Sequence, residues 1–250
     1  MKYIGIIPSR YASTRFPGKP LAMIKGKSII QRVYEQANKT DVLSYIVVAT
    51  DDKRIEAHVK NFGGNVIMTS ERHRNGTERC YEAIQKLYSI YPNKKWDVVI
   101  NIQGDEPYIN SCQIQKIASC FKNKDVQIAT LLKKISQEQE LFDPNIVKAV
   151  SDKNKKAIYF SRFPIPFYRG KEKSEYLNLH NYYKHIGLYA YKTNVLKIIA
   201  KIKPSSLEIA ESLEQLRWIE NGFKIDIEYT DYDSLSIDTP EDLKKINNFL

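Results

Sequence analysis

Residues 2–21 read KYIGIIPSRYASTRFPGKPL, and the change of character inside this stretch decides the fold. Lys2–Pro8 is a short apolar run without polar alternation, the pattern of a strand buried on both faces. Arg10, Arg15 and Lys19 follow within ten positions, interleaved with Pro17 and Gly18. In sheets built from parallel strands, ligands bind beyond the carboxyl ends of the strands. A buried strand that opens into three cations therefore reads as an anion-binding loop.

The strand is the first of a series. Ser28 is placed to cap a helix carrying Ile29, Ile30, Val33, Tyr34 and Ala37, and Tyr45–Thr50 is the next strand. A helix through Ile55–Phe62 is stopped by Gly63-Gly64, and Val66–Met68 forms a short strand. A helix over Thr77–Tyr88 places Cys80, Ala83, Ile84 and Leu87 on one face. It is followed by a strand at Asp97–Ile102 and a helix marked by Ile114, Ile117, Ala118 and Phe121. This alternation predicts an α/β fold with a mainly parallel sheet and helices on both faces. The second half is less regular. Strands are predicted at Val126–Leu132, Ile146–Val150, Ala157–Phe160, His185–Tyr191, Ile225–Tyr229 and Leu235–Asp238. One helix is predicted from Ser205, with Glu208 completing a capping box, through Leu213, Leu216 and Ile219 to Gly222. Another starts at Pro240. With no linker or repeat, residues 1–250 are expected to form a single domain.

A net charge of +10 admits nucleic acid, an anionic membrane or an anionic small molecule as partner. No basic stripe interleaved with aromatics and no RNP-like pattern supports nucleic acid. No apolar run approaches the ~20 residues of a membrane span, and no signal-peptide h-region is present. A cytoplasmic, soluble protein is the expectation. Cys80, Cys112 and Cys120 lack C-x-x-C spacing and read as reduced, packed thiols; the four histidines form no zinc pattern.

The cationic loop is not a P-loop: Ser13 stands where the Walker pattern needs glycine, and Pro20 where it needs serine or threonine. A G-x-G-x-x-G fingerprint is also absent. Anions must be held mainly by side chains, two guanidiniums forking onto phosphate oxygens and one ammonium acting as a point charge. A polyphosphate implies a divalent cation, and magnesium typically takes one or two carboxylates plus phosphate oxygens and water. DVVINIQGDEP (97–107) offers Asp105 and Glu106 beyond a buried strand, with Gly104 permitting close backbone approach. In SLSIDTPEDL (234–243), Thr239, Pro240, Glu241 and Asp242 are explained as a helix start. Asp238 is left over, placed to face the same crevice as Asp105.

Taken in order, PSRYASTRFPGKPL (8–21), VVATDD (47–52), NGTER (75–79), NIQGDEP (101–107), YFSR (159–162), HIGLYAY (185–191), LEQLR (213–217) and IDTPEDL (237–243) resemble the 3-deoxy-manno-octulosonate (Kdo) cytidylyltransferases. The resemblance spans residue 1 to about 245. It implies a three-layer α/β/α nucleotidyltransferase sandwich that transfers CMP from CTP to the anomeric hydroxyl of Kdo for lipopolysaccharide synthesis. It also implies a magnesium cofactor and a homodimer. Residues 1–125 would be the nucleotide-binding half, 126–230 the sugar-binding and dimerisation region, and 231–250 the closing strand and helix. By the same resemblance Arg10, Arg15 and Lys19 bind the triphosphate, with the Ser9 backbone serving where alanine is frequent in the family. Asn75, Gly76, Thr77 and Arg79 lie near the nucleotide, Gln103 touches cytosine, and Asp105 and Asp238 hold magnesium. Lys19, Arg15, Asp105 and Asp238 are the catalytic set. Arg162, His185, Tyr189, Glu214 and Gln215 surround the sugar. A cytidylyltransferase for 8-amino-Kdo, a sialic acid or another nonulosonic acid is the alternative within the same chemistry. A nucleotide-binding regulatory module without turnover is the alternative outside it.

Overall fold

The computed structural model describes residues 1–13, 15–233 and 235–249. The first half alternates as the apolar pattern demands: Tyr3–Ser9 (β1), Met23–Ile24 (β2), Lys27–Ser28 (β3), Ile29–Ala37 (α1), Leu43–Thr50 (β4), Lys53–Asn61 (α2), Val66–Met68 (β5), Gly76–Ile90 (α3), Val98–Asn101 (β6) and Ser111–Ser119 (α4). The second half runs Ile128–Lys134 (β7), Glu138–Phe142 (α5), Lys148–Ser151 (β8), Ala157–Ser161 (β9), Tyr176–Leu179 (α6), Tyr183–Lys192 (β10), Thr193–Ile199 (α7), Ser206–Glu211 (α8), Gln215–Glu220 (α9), Ile225–Tyr229 (β11) and Pro240–Phe249 (α10).

The main sheet has the order β11-β7-β10-β6-β1-β4-β5, with β8 branching from β10 and β9 pairing β8. Strands β1, β4, β5 and β6 are mutually parallel, and β11 is parallel to β7. β10 is antiparallel to both β6 and β7, so it opposes a sheet that otherwise runs one way along this path. Its side chains bury on both faces in the two-residue period of a strand. Ile4 and Ile6 of β1, Val47 and Ala49 of β4 and Val99 of β6 enter one core, with Leu87 of α3 and Trp218 of α9. Ile7, Ile46, Val48, Val98 and Ile100 enter the other, against α1, α2 and α4. This is the mostly parallel, helix-covered sheet that the first hundred residues predict.

Local signals explain the element ends. Ser28 caps α1 by accepting from Gln31 N (3.2 Å), and Ser205 and Glu208 form a capping box at α8. Two expectations are corrected. The single helix from Ser205 to Gly222 is two helices, broken where Ser212 adopts a left-handed φ of 53°. The last residue of α8, Glu211, is held from outside the helix: its carboxylate accepts from Ser161 Oγ (2.7 Å) and Arg162 N (2.9 Å), and its carbonyl accepts from Arg162 Nε (2.7 Å). The stretch Leu235–Asp238 is not a strand. Its Ile237 N–H donates to Asp105 O (3.0 Å), and Leu235 is exposed instead of facing a core. Among the described residues, no helix is long and apolar enough to cross a membrane.

Candidate active site

The loop after β1 is folded back on itself. Gly18 N donates to Tyr11 O (2.9 Å) and Lys19 N to Phe16 O (3.2 Å). Gly18 has φ +72°, a conformation that favours glycine, and a Cβ there would meet the Tyr11 hydroxyl at 3.0 Å. The Arg54 guanidinium lies 3.3 Å over the Tyr11 ring, bracing the loop from α2. Lys19 thereby starts a short 3-10 turn, Lys19–Leu21, with its side chain aimed at the neighbouring strand end.

That strand end is brought close by glycine. A Cβ on Gly104 would sit 2.6 Å from Pro8 O, so the backbones leaving β1 and β6 approach as only glycine permits. Asp105 follows, and its carbonyl holds Ile237 N, which delivers Asp238 to the same spot. Lys19 Nζ lies 2.7 Å from Asp105 Oδ2 and 3.3 Å from Asp238 Oδ1; Arg15 Nη2 lies 3.1 Å from the same Asp238 oxygen. The Lys19 side chain is 14% exposed and that of Arg15 is 68% exposed, so the lysine is the partly desolvated member. Asp238 does not cap the last helix. Thr239 and Asp242 do so reciprocally, Asp242 N donating to Thr239 Oγ1 (3.2 Å) and Thr239 N to Asp242 Oδ2 (2.9 Å).

These groups line a cleft of about 310 Å³. Ser9, Arg10, Arg15, Lys19, Asn75, Gly76, Arg79, Gln103, Asp105 and Asp238 all lie on it, joined by His73 and Arg74. Five lysine and arginine side chains face two carboxylates, an excess of positive charge suited to a polyanion. Asn75 caps α3, accepting from Glu78 N (2.9 Å), which turns Gly76 into the cleft. Arg79 is buried and bonded to Asp51 Oδ2 and Thr69 Oγ1, both at 2.7 Å, so it shapes the wall through an ion pair of its own.

The two carboxylates offer hard oxygen donors converging on a single ammonium, the donor chemistry that magnesium uses. Among the described residues no group of three or more His, Cys, Asp or Glu could hold a metal. The pair therefore fits an ion that takes its other ligands from phosphate and water.

The residues expected around the sugar stand off the cleft. Gln103 links the two regions, its Nε2 donating to Gly187 O (2.9 Å). His185 is partly buried, hydrogen-bonded through Nε2 to Thr130 Oγ1 (3.0 Å) and packed against Phe160 and Tyr189. Burial pushes its pKa down to about 3, so the ring is neutral. Tyr189 is buried between Tyr191 and Trp218. Arg162 holds the α8–α9 junction through Glu211 O, Pro144 O and Ser212 O. Gln215 is buried. Thr77 Oγ1 donates to Glu214 Oε2 (3.1 Å), and burial pushes the Glu214 carboxyl up to about 7. Glu214 also lines a second cavity of about 380 Å³ with Glu208, Ile209, Ser212 and Arg217, which shares Arg74 and Asn75 with the cleft.

A family model for cytidylyltransferase matches residues 4–227. The chain belongs to the cytidylyltransferase family. This cytidylyltransferase is 57% identical, over all of its own length and 98% of the relative's, to a 3-deoxy-manno-octulosonate cytidylyltransferase of Parabacteroides distasonis. It is 54% identical, with the same coverage, to one of Bacteroides thetaiotaomicron. Among solved structures it is similar to a CMP:2-keto-3-deoxy-manno-octonic acid synthetase complexed with CTP, at 38% identity and a TM-score of 0.90, covering 100% of this chain and 98% of that one.

Two cleft residues of the cytidylyltransferase escape sequence reading. His73 is one of four histidines without zinc spacing, and Arg74 carries no motif of its own. Their one signal is position, directly before the helix cap Asn75.

Proposed function

We propose that the protein transfers CMP from CTP to the anomeric hydroxyl of Kdo, releasing pyrophosphate, and so supplies an activated sugar acid for lipopolysaccharide synthesis. The observation that carries this reading is the convergence of Lys19 on Asp105 and Asp238 inside a cationic cleft at the carboxyl ends of β1 and β6. The full-length similarity to 3-deoxy-manno-octulosonate cytidylyltransferases supports the choice of sugar.

In this reaction the anomeric oxygen attacks the α-phosphorus of CTP while the bond to the pyrophosphate oxygen breaks. Arg10, Arg15 and Lys19 bind the triphosphate and neutralise charge gathering on the leaving group. Placed charges of this kind each contribute several kcal/mol, roughly, in a water-poor site. Lys19 is held by Asp105, so its ammonium needs little reorganisation when the nucleotide arrives. Asp105 and Asp238 would hold magnesium, which supplies charge neutralisation on phosphate oxygens. Gln103 and the backbone at Gly76 read the base, and Arg162, His185, Tyr189, Glu214 and Gln215 surround the sugar. The proposed compartment is the cytoplasm, where CTP is made. The proposed assembly is a homodimer, supported by the exposed Phe163 and Phe167, 69% and 71% accessible, in the region between β9 and β10.

The test is pyrophosphate release with magnesium, using CTP, UTP, ATP or GTP against Kdo, 8-amino-Kdo and a sialic acid. Turnover is expected with CTP and Kdo and weakly with purine nucleotides, because a pocket that hydrogen-bonds one base leaves buried groups unpaired with another. Equal rates with all nucleotides, or no release with any sugar acid, would refute the reading.

A further inference from the structure

The segment 73–79 lines the cleft with His73, Arg74 and Arg79, and each has an acidic partner. Arg79 is buried and fixed by Asp51, Thr69 and the Ser70 carbonyl. His73 is hydrogen-bonded through Nε2 to Glu82, whose carboxylate is also held by Ser70 N (2.8 Å) and Lys86 (2.8 Å). Arg74 is tethered differently. Its Nε and Nη2 lie 3.2 and 3.0 Å from Glu78 Oε1, four residues along the same segment, and its side chain is 65% exposed. Arg74, whose side chain lies largely in solvent, can swing away from Glu78 more readily than Arg79 can leave its buried pair with Asp51.

Position gives that freedom a purpose. Arg74 lines the nucleotide cleft and also the second cavity. The other charged residues of that cavity are Glu208, Glu214 and Arg217. Arg217 is already committed, its buried guanidinium paired with Glu208 and donating to Ile202 O (2.9 Å). An anion entering beside Glu214 therefore finds no uncommitted cation in that cavity unless Arg74 turns towards it. A sugar acid is such an anion, and it must also approach the triphosphate, a second anion.

We propose that Arg74 determines acceptor specificity: its guanidinium leaves Glu78 and forks onto the carboxylate of the sugar acid where the two cavities meet. This inference rests on the reading that the acceptor is a sugar acid lodged near Glu214. It makes the enzyme select acidic over neutral sugars, because a neutral acceptor leaves Arg74 on Glu78 and the adjoining carboxylates facing an unpaired hydroxyl or ester.

The experiment compares wild type, Arg74→Gln and Arg74→Lys in steady-state pyrophosphate release. Kdo is varied at saturating CTP, then CTP at saturating Kdo, and the methyl ester of Kdo serves as the neutral probe. Arg74→Gln should raise KM for Kdo about tenfold or more, the scale of one lost charge-assisted pair. KM for CTP should rise by a clearly smaller factor, on the argument that the loop cations carry most of the triphosphate charge. The preference for Kdo over its methyl ester should shrink by the same factor as KM rises, and Arg74→Lys should recover part of it. An unchanged KM for Kdo overturns the inference, as does a rise in KM for CTP alone. Failure of the wild type to use Kdo at all overturns the proposed function, and this inference with it, before any variant is compared.

Discussion

Replacing Glu214 by glutamine should make the protein more stable, and only above mildly acidic pH. The carboxyl sits beside Thr77 with Oε1 buried and unpartnered, and burial raises it from the usual 4.5 to about 7. The neighbouring Arg217 and the Thr77 hydroxyl pull the other way without cancelling that effect. With the folded value above the unfolded one, the stability of the protonated form is fully present below pH 4.5. It is lost as pH rises through about 7. The gap between the two values corresponds to about 3 kcal/mol. Glutamine keeps the shape and an oxygen to accept from Thr77, and it never ionises. Melting curves of both proteins should coincide near pH 4.5 and diverge steadily to pH 8. There the variant should gain on the order of 6–12 °C, at ~2–4 °C per kcal/mol for a chain of this size. A difference that does not change with pH, or a variant less stable at pH 8, would show that the buried Glu214 carboxylate does not destabilise the fold. If Glu214 also contacts the sugar, the stabilised variant should be the poorer enzyme, with a raised KM for Kdo.

Other perturbations separate function from structure. Asp238→Asn should lower turnover roughly 100-fold or more across a magnesium titration. Its melting temperature should move only a few degrees, since its pairs with Arg15 and Lys19 are partly exposed and worth about 0–1 kcal/mol; unchanged turnover at limiting magnesium would remove Asp238 from metal binding. Lys19→Ala should lose about 100-fold in turnover, equivalent to roughly 2.7 kcal/mol of transition-state stabilisation, with the folded state retained by circular dichroism. Gly104→Ala drives a Cβ to within 2.6 Å of Pro8 O, so it should cost about 1–3 kcal/mol in a denaturant melt and displace Asp105. Wild-type activity in that variant would show that the close approach of β1 and β6 is not needed by the site.

The strands of the first half are legible because burial on both faces writes an uninterrupted apolar run, as Ile4, Ile6 and Ile7 do in β1. The same rule misleads at residues 235–238. Leu235 and Ile237 have strand spacing, yet Ile237 is held by a backbone bond to Asp105, and Leu235 faces water. The break at Ser212 is invisible in sequence for two reasons. A serine in the left-handed region carries no glycine signal, and Leu213, Leu216 and Ile219 keep helical spacing across the gap. What ends α8 is a tertiary event, the capture of Glu211 by Ser161 and Arg162 fifty residues away. The loop cations and acidic motifs could be read locally because each follows a strand. The raised carboxyl of Glu214 depends on its burial beside the distant Thr77, and no spacing encodes that.

Strand β10 opposes its neighbours and lies between β6 and β7, although it is made some eighty residues after β6. During synthesis, the amino-terminal half therefore emerges with the apolar edge of Val98–Asn101 lacking its neighbour. That edge is open to any other chain until residue 192 is available. The order of translation thus gives this enzyme a window of vulnerability on the ribosome. The window closes when the late strand is inserted, at the moment that Gly187 reaches Gln103 and joins the sugar side of the site to the nucleotide side.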